Sequence, residues 1–238
     1  MSEVPFRNLE TTGSHGKYSE LKSLPEDPDL LVKEMRSSWE GHPKPGIHPL
    51  VDVDRAKQTL DFLQQNFPEY AVPASLVVGR NEKDEKTIYT VVHRIEGKSL
   101  PNLEPTPELK AQLRKFLSEV VDAYFKNLFY NGDDPKAELE SYCPDLNQDN
   151  FFLGRDAKLN ETENRLYYID SYPMARRTPD SLLNKYFPQL KGNFGEAWHP
   201  ILEDFIQEAR HRIEEHVAQN SGQFPRLPKT QWYTREPK

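Results

Sequence analysis

Cysteine is nearly missing from this chain: Cys143 stands alone among 238 residues. Neither an intrachain disulfide nor a zinc site built on several thiolates can form. No apolar run is long enough to cross a bilayer, and the N-terminal residues, MSEVPFRNLE, carry no hydrophobic core of signal-peptide length. Basic residues are in deficit. Lys and Arg number 31 against 38 Asp and Glu, and the resulting net charge of −7 argues against broad binding to nucleic acid or to an anionic membrane surface. No internal repeat is found, which removes the solenoid and propeller classes. These absences predict a cytoplasmic protein with no nucleic-acid and no membrane partner.

The residues that are present predict a folded chain. Hydrophobic residues make up 36% and aromatics 11%, enough to build a core despite 29% charged residues, so disorder throughout is excluded. The length suits one large domain or two closely packed lobes.

Residues 142–173, YCPDLNQDNFFLGRDAKLNETENRLYYIDSYP, organise the reading. Two short apolar runs, 151–153 and 166–169, flank a polar loop and read as the strands of a hairpin. Antiparallel pairing would set Asn150, just before the first strand, beside Asp170, just after the second. Asp145 lies on the same side, one short loop earlier. An amide oxygen and two carboxylates form a hard-oxygen set of the kind that holds Mg²⁺ together with water and phosphate ligands.

Upstream, residues 6–36 read as a three-stranded meander. Its first turn, TTGSHG at 11–16, has Gly13 and Gly16 where backbone can approach phosphates, and its second is an acidic turn at 25–28. In the third strand, alternation puts Lys33 on the face of Leu31 and Met35, from which it can snorkel to water or pair with phosphate oxygens. A helix over 52–67 follows, with Ala56, Leu60, Leu63 and Phe67 on one face. It has no glutamate in its body. Asp54 and Asp61 are both open as partners of Lys33. Strands over 76–79 and 87–95 complete a small sheet-rich lobe, residues 1–97.

The stretch 93–100, HRIEGKSL, reads as the join to a helical lobe, residues 98–219. Thr106 and Pro107 cap a long helix reaching about residue 128. Beyond the hairpin, Thr178-Pro179 opens a short helix to about 186, and 199–219 forms another with Leu202, Phe205, Ile206, Ala209 and Ile213 inward. The tail, 220–238, is expected to be mobile unless Phe224 or Trp232 docks on the core.

In this order the parts resemble the protein kinase-like superfamily: a glycine turn, a strand lysine, one helix, two strands, a join, a long helix, D-x-x-x-x-N, a hairpin and an isolated Asp. The resemblance spans about residues 6–219. It implies an α+β, two-lobed protein kinase-like fold, with a small antiparallel β lobe bearing one helix and a larger helical lobe. It also implies ATP and Mg²⁺ as cofactors and a hydroxyl-bearing acceptor as partner. By matching position, Gly13, Gly16 and Lys33 would bind nucleotide phosphates, and Val92, His93, Arg94 and Ile95 would flank the adenine. Asn150 and Asp170 would hold the metal, and Asp145 would orient the acceptor hydroxyl or take its proton. The chain departs from the pattern at Cys143-Pro144 before Asp145, at Asn147 two residues after it, and at Ser171-Tyr172 after Asp170. A divergent, aminoglycoside phosphotransferase-like small kinase fits these flanks better than a protein kinase. A catalytically weak or inactive pseudokinase-like nucleotide-binding module is the alternative, and a divergent protein kinase a further one. Arg176 and Arg177, just past Asp170, are either a solvated basic pair or a grip for an anionic substrate.

Overall fold

A computed structural model describes residues 4–5, 10–16, 19–34, 49–80, 86–170 and 175–227. The chain forms two compact units, and the division is not linear. One unit takes residues 1–97, 154–173 and 233–238, the other 98–153 and 174–232. The hairpin expected inside the helical lobe therefore groups, from Gly154 onward, with the sheet-rich unit. The physical reason lies in its second strand, where Tyr168 N–H donates to Tyr70 O at 2.8 Å and Val72 N–H donates to Tyr168 O at 3.4 Å.

The first unit is built on a six-stranded sheet in the order β1-β5-β6-β4-β3-β2. Its strands are β1 (Val4–Pro5), β2 (Glu10–Gly16), β3 (Ser19–Leu24), β4 (Asp27–Glu34), β5 (Ala74–Arg80) and β6 (Lys86–His93). The meander holds, since β2, β3 and β4 pair antiparallel in succession, and Leu24 opposite Asp27 makes a two-residue turn of Pro25 and Glu26. Residues 6–9 of the expected first strand lie outside the described residues. Val32 and Tyr89 are buried together, with Leu24, Val77 and Val91 packed against them. The opposite register positions put Lys33 across from Thr90 and Leu31 across from Val92 on the other face of β4 and β6. Helix α1 (Pro49–Asn66) packs against β5, and the predicted apolar stripe is its buried face: Ala56, Leu60, Leu63 and Phe67 are each at most 6% exposed.

β7 (Ile95–Ser99) leaves this sheet and joins β10 (Phe151–Asp156) and β11 (Arg165–Tyr168) in the order β11-β10-β7. Gly154 is required there. A Cβ at that position would lie 2.5 Å from Glu96 O and 2.9 Å from Gly97 Cα, so the two strands approach through a residue without a side chain.

The second unit rests on α2 (Pro107–Lys126) and α5 (His199–Gln219), which pack on each other. Thr106 caps α2 as expected, accepting from Leu109 N–H, and Pro107 begins it. The core joins Leu113, Phe116, Leu117 and Val120 of α2 to Leu202, Phe205, Ala209 and Ile213 of α5, with Ile206 half-buried. Phe151 meets Phe116 edge-on at 5.2 Å. The short helix expected over 178–186 is part of a longer helical run: α3 (Pro179–Ser181), a π-turn at Leu182–Tyr186, α4 (Phe187–Gln189) and a 3₁₀ turn at Leu190–Asn193. Phe187 N–H bonds back to Leu182 O, and Pro188 has no N–H with which to continue the α register.

A four-stranded sheet, β12-β9-β8-β13, lies in this unit and was not expected. Its strands are β8 (Phe129–Asn131), β9 (Leu139–Cys143), β12 (Ala175–Arg177) and β13 (Arg226–Leu227). None exceeds five residues, too short for an alternating pattern to show. β13 brings the tail in, and Phe224 meets Tyr130 at 6.2 Å and His216 at 5.9 Å, so Phe224 docks. Trp232 lies outside the described residues.

Candidate functional site

In the first unit the structure joins two residues 137 positions apart in sequence, Lys33 and Asp170. The Lys33 Nζ lies 3.7 Å from Asp170 Oδ1, with both side chains 19% exposed. Lys33 is carried by β4 in the middle of the sheet. Asp170 follows β11 by two residues, and the Tyr168 bonds to residues 70–72 hold that strand end. Beside Asp170 is a small hollow lined by Leu60, Leu63, Val72, Val92 and Ile169. Apolar surroundings strengthen a charge pair relative to one in open water. The helix aspartates left open for Lys33 resolve differently: Asp61 pairs with Lys57 at 2.5 Å, and the side chain of Asp54 lies outside the described residues.

The glycine expectation needs correction. Residues 11–16 are not a turn but most of β2, with a shift of register between Thr11 and His15. Gly13 sits in that irregular stretch, where a residue without a side chain tolerates a bulge. Gly16 pairs with Ser19, so the chain reverses after Gly16. Only Gly16 stands at the hairpin end.

Backbone groups in the expected adenine-flanking stretch are occupied. Val92 pairs with both Leu31 and Ala74. His93 N–H donates to Pro73 O at 3.0 Å and Arg94 N–H to Asp29 O at 2.8 Å, while Arg94 O accepts from Ala157 N–H. Ile95 opens β7. The His93 side chain is also engaged: Nδ1 lies 2.8 Å from Oδ2 of Asp156, a fully buried carboxylate whose other oxygen accepts from Leu159 N–H.

The next turn of the same hairpin is closed by Glu161, which accepts from Asp156 N–H and from the Tyr167 hydroxyl and pairs with Arg165 at 2.9 Å. Burial pushes its carboxyl up, but those hydrogen bonds and the Arg165 charge outweigh it and hold Glu161 below the usual carboxylate range.

In the second unit, Asp145 and Asn150 occupy one self-bonded loop. Asn150 Nδ2 donates to Asp145 O at 2.9 Å, which turns the amide oxygen away from that carbonyl. Asn147 accepts from Asp149 N–H, and Gln148 Oε1 accepts from Gly195 N–H. Asp145 is exposed while Leu146 beside it is fully buried.

The organising residue is one the sequence reading missed, Tyr186. Its hydroxyl accepts from Leu146 N–H at 2.5 Å, donates to Pro144 O at 3.0 Å and lies 3.4 Å from Asp145 Oδ1. Arg177 stacks on the ring of Tyr186 at 3.8 Å. The only sequence signal was a tyrosine on the apolar face of the helix opened by Thr178, where packing alone explains it. Burial and the neighbouring Cys143 push the Tyr186 phenol far up, so it stays protonated and able to donate. Burial pushes the Cys143 thiol up to about 12, with Arg177 pulling the other way, which makes it an inert packing residue rather than a nucleophile.

Among the described residues no group of three or more His, Cys, Asp or Glu is arranged to hold a metal ion.

No family model matches the chain. No curated protein matches it. Among solved structures it is similar to the Rio2 kinase–ADP/Mg²⁺–phosphoaspartate complex from Chaetomium thermophilum, with a TM-score of 0.40, 13% identity, and coverage of 93% of this chain and 66% of that one. It is also similar to WbdD co-crystallised with a kinase inhibitor, with a TM-score of 0.42, 13% identity, and coverage of 90% and 46%. The chain thus spans less than two thirds of either protein. At these scores the likeness carries no inference, and the site is read from the chain's own residues.

Proposed function

We propose that the chain is an ATP-dependent phosphotransferase of the protein kinase-like type, moving the γ-phosphate to a hydroxyl group of a small acceptor. The observation that carries this reading is the Lys33–Asp170 pair, because the motif order demands those two residues in one place and nothing in their local sequence does. Lys33 would hold nucleotide phosphate oxygens as a charge-assisted donor. Asp170 would be a hard-oxygen donor to Mg²⁺, which when bound offsets the charge of the phosphates and of the group in transfer. Asp145 would orient the acceptor hydroxyl and take its proton as the new O–P bond forms and the β–γ bridge bond breaks, ADP leaving. The exposed carboxylate of Asp145, on a loop tied down by Tyr186, Asn150 and Gln148, has the supported position such a group needs.

A second reading, a nucleotide-binding module without turnover, is favoured by the flanks of Asp145, where Cys143-Pro144 before it and Asn147 after it depart from the kinase-like pattern.

Purified protein heated with and without Mg-ATP, followed by ADP release over a panel of hydroxyl acceptors, separates these readings. Phosphotransfer requires a nucleotide-dependent rise in Tm, abolished by Lys33→Met and weakened by Asp170→Asn, and turnover lost in Asp145→Ala. A Tm rise without turnover above that of Asp145→Ala selects the module. No Tm rise at all removes both.

A further inference from the structure

Arg176 and Arg177 are adjacent in sequence and do different things. Both lie on β12, opposite Tyr142 and Ser141 of β9, and strand alternation sends them to opposite faces. Arg176 is held between two rings, 5.1 Å from that of Phe129 and 5.0 Å from that of Tyr142, and Nη2 donates to the Tyr142 hydroxyl at 2.8 Å. Its role is in the packing of the small sheet.

Arg177 has no such closure. Its guanidinium is half-buried on the face of Tyr186, its Nε, like those of Arg165 and Arg176, is buried without a hydrogen-bond partner, and among the described residues no carboxylate lies within ion-pair distance. In the same chain Arg114, Arg155, Arg165, Arg210 and Arg212 each pair with an acid. The backbone of Arg177 is fixed as well, since the buried Tyr124 hydroxyl donates to its carbonyl at 2.9 Å. A cation part-way out of water, stacked into one orientation and without an ion-paired acid among the described residues, is a site prepared for an anion.

Its location gives that anion a use. Tyr186 carries Arg177 on its ring face and the loop of Asp145 at its hydroxyl, so one buried side chain sets the cation and the carboxylate together. Both charges act on the same sulfur, Arg177 pulling the Cys143 thiol down and Asp145 pushing it up. We propose that Arg177 binds an anionic substituent on the acceptor, so that the substrate is a small hydroxyl compound carrying a phosphate or carboxylate group. This rests on Asp145 as the residue that receives the acceptor hydroxyl.

The test uses the full chain and the variants Arg177→Gln, Arg177→Lys and Arg114→Gln, with glycerol 3-phosphate, glycerate and uncharged glycerol as probes. Affinity is read by calorimetry without nucleotide. Wild type is expected to bind one or both anions at millimolar concentration and to ignore glycerol, the two anion arms separating phosphate from carboxylate recognition. Arg177→Gln should lose about tenfold or more, Arg177→Lys should recover part of it, and Arg114→Gln, at an exposed arginine paired with Asp204, should bind as wild type does. Absence of anion binding in wild type overturns the proposal, and that arm needs no variant to fold. Equal binding by Arg177→Gln, or an equal loss in Arg114→Gln, also overturns it. Failure of the Mg-ATP response with intact, Arg177-dependent anion binding overturns the phosphotransfer reading and keeps Arg177 as an anion site.

Discussion

Removing a single oxygen atom tests how the Asp145 loop is held. In Tyr186→Phe the ring remains, with its stack under Arg177 and its contact with Phe187 at 6.1 Å, so packing is conserved. What disappears is the acceptor for Leu146 N–H and the donor to Pro144 O. Tyr186 is 6% exposed and Leu146 fully buried, so water does not readily replace the hydroxyl. Stranding one buried donor costs about 1–3 kcal/mol. For a chain of this size that is a fall in Tm of roughly 3–10 °C. Because burial and Cys143 keep the phenol protonated, the gap between wild type and variant should stay level from roughly pH 6 to 9. The assay is thermal unfolding across that range, with hydrogen exchange at the Leu146 amide. The reasoning fails if Tm changes by less than about 1 °C and the Leu146 amide stays equally protected. Acceptor turnover should fall as well, since the loop carrying Asp145 loses two of its ties.

Gly154→Ala should destabilise the protein by about 1–3 kcal/mol, because its Cβ would overlap the backbone of Glu96 and Gly97, which cannot swing aside as a side chain can; urea unfolding measures it, and a neutral outcome would disprove the close approach. Glu161 predicts a pH dependence with a definite sign. Its folded-state carboxyl is held below its unfolded value, so its contribution is fully present above the ordinary glutamate range and is lost as pH falls through the depressed folded value. Glu161→Gln should therefore flatten the acid limb of stability against pH and leave its alkaline limb unchanged; an acid limb as steep as that of wild type counts against it.

The helices were legible from sequence because their signals are local. The period of Ala56, Leu60, Leu63 and Phe67 and the caps at Thr106 and Thr178 act within a few residues. The glycine at 13 was misread because a glycine in a bulge and a glycine in a turn look alike along the chain, and only pairing with β3 distinguishes them. The strands of the second unit's sheet, two to five residues each, carry too little pattern to be found at all.

The same division governs the site. Sequence alone determined the residue types and their order: a lysine alternating into company with Leu31, a D-x-x-x-x-N run and an aspartate after the second hairpin strand. It also placed the apolar faces of α1, α2 and α5. Tertiary structure alone decided the partners. Asp54 and Asp61 of α1 were both open to Lys33; the fold gives Asp61 to Lys57 and brings Lys33 to Asp170, from the far end of a hairpin. Arg176 and Arg177 looked like one basic pair and became a packing residue and a cation stacked on Tyr186 with no ion-paired acid among the described residues. Periodicity and caps are written in neighbours three or four residues apart, whereas a charge takes whatever counter-charge the fold brings within a few ångströms, and that is a property of the packed chain.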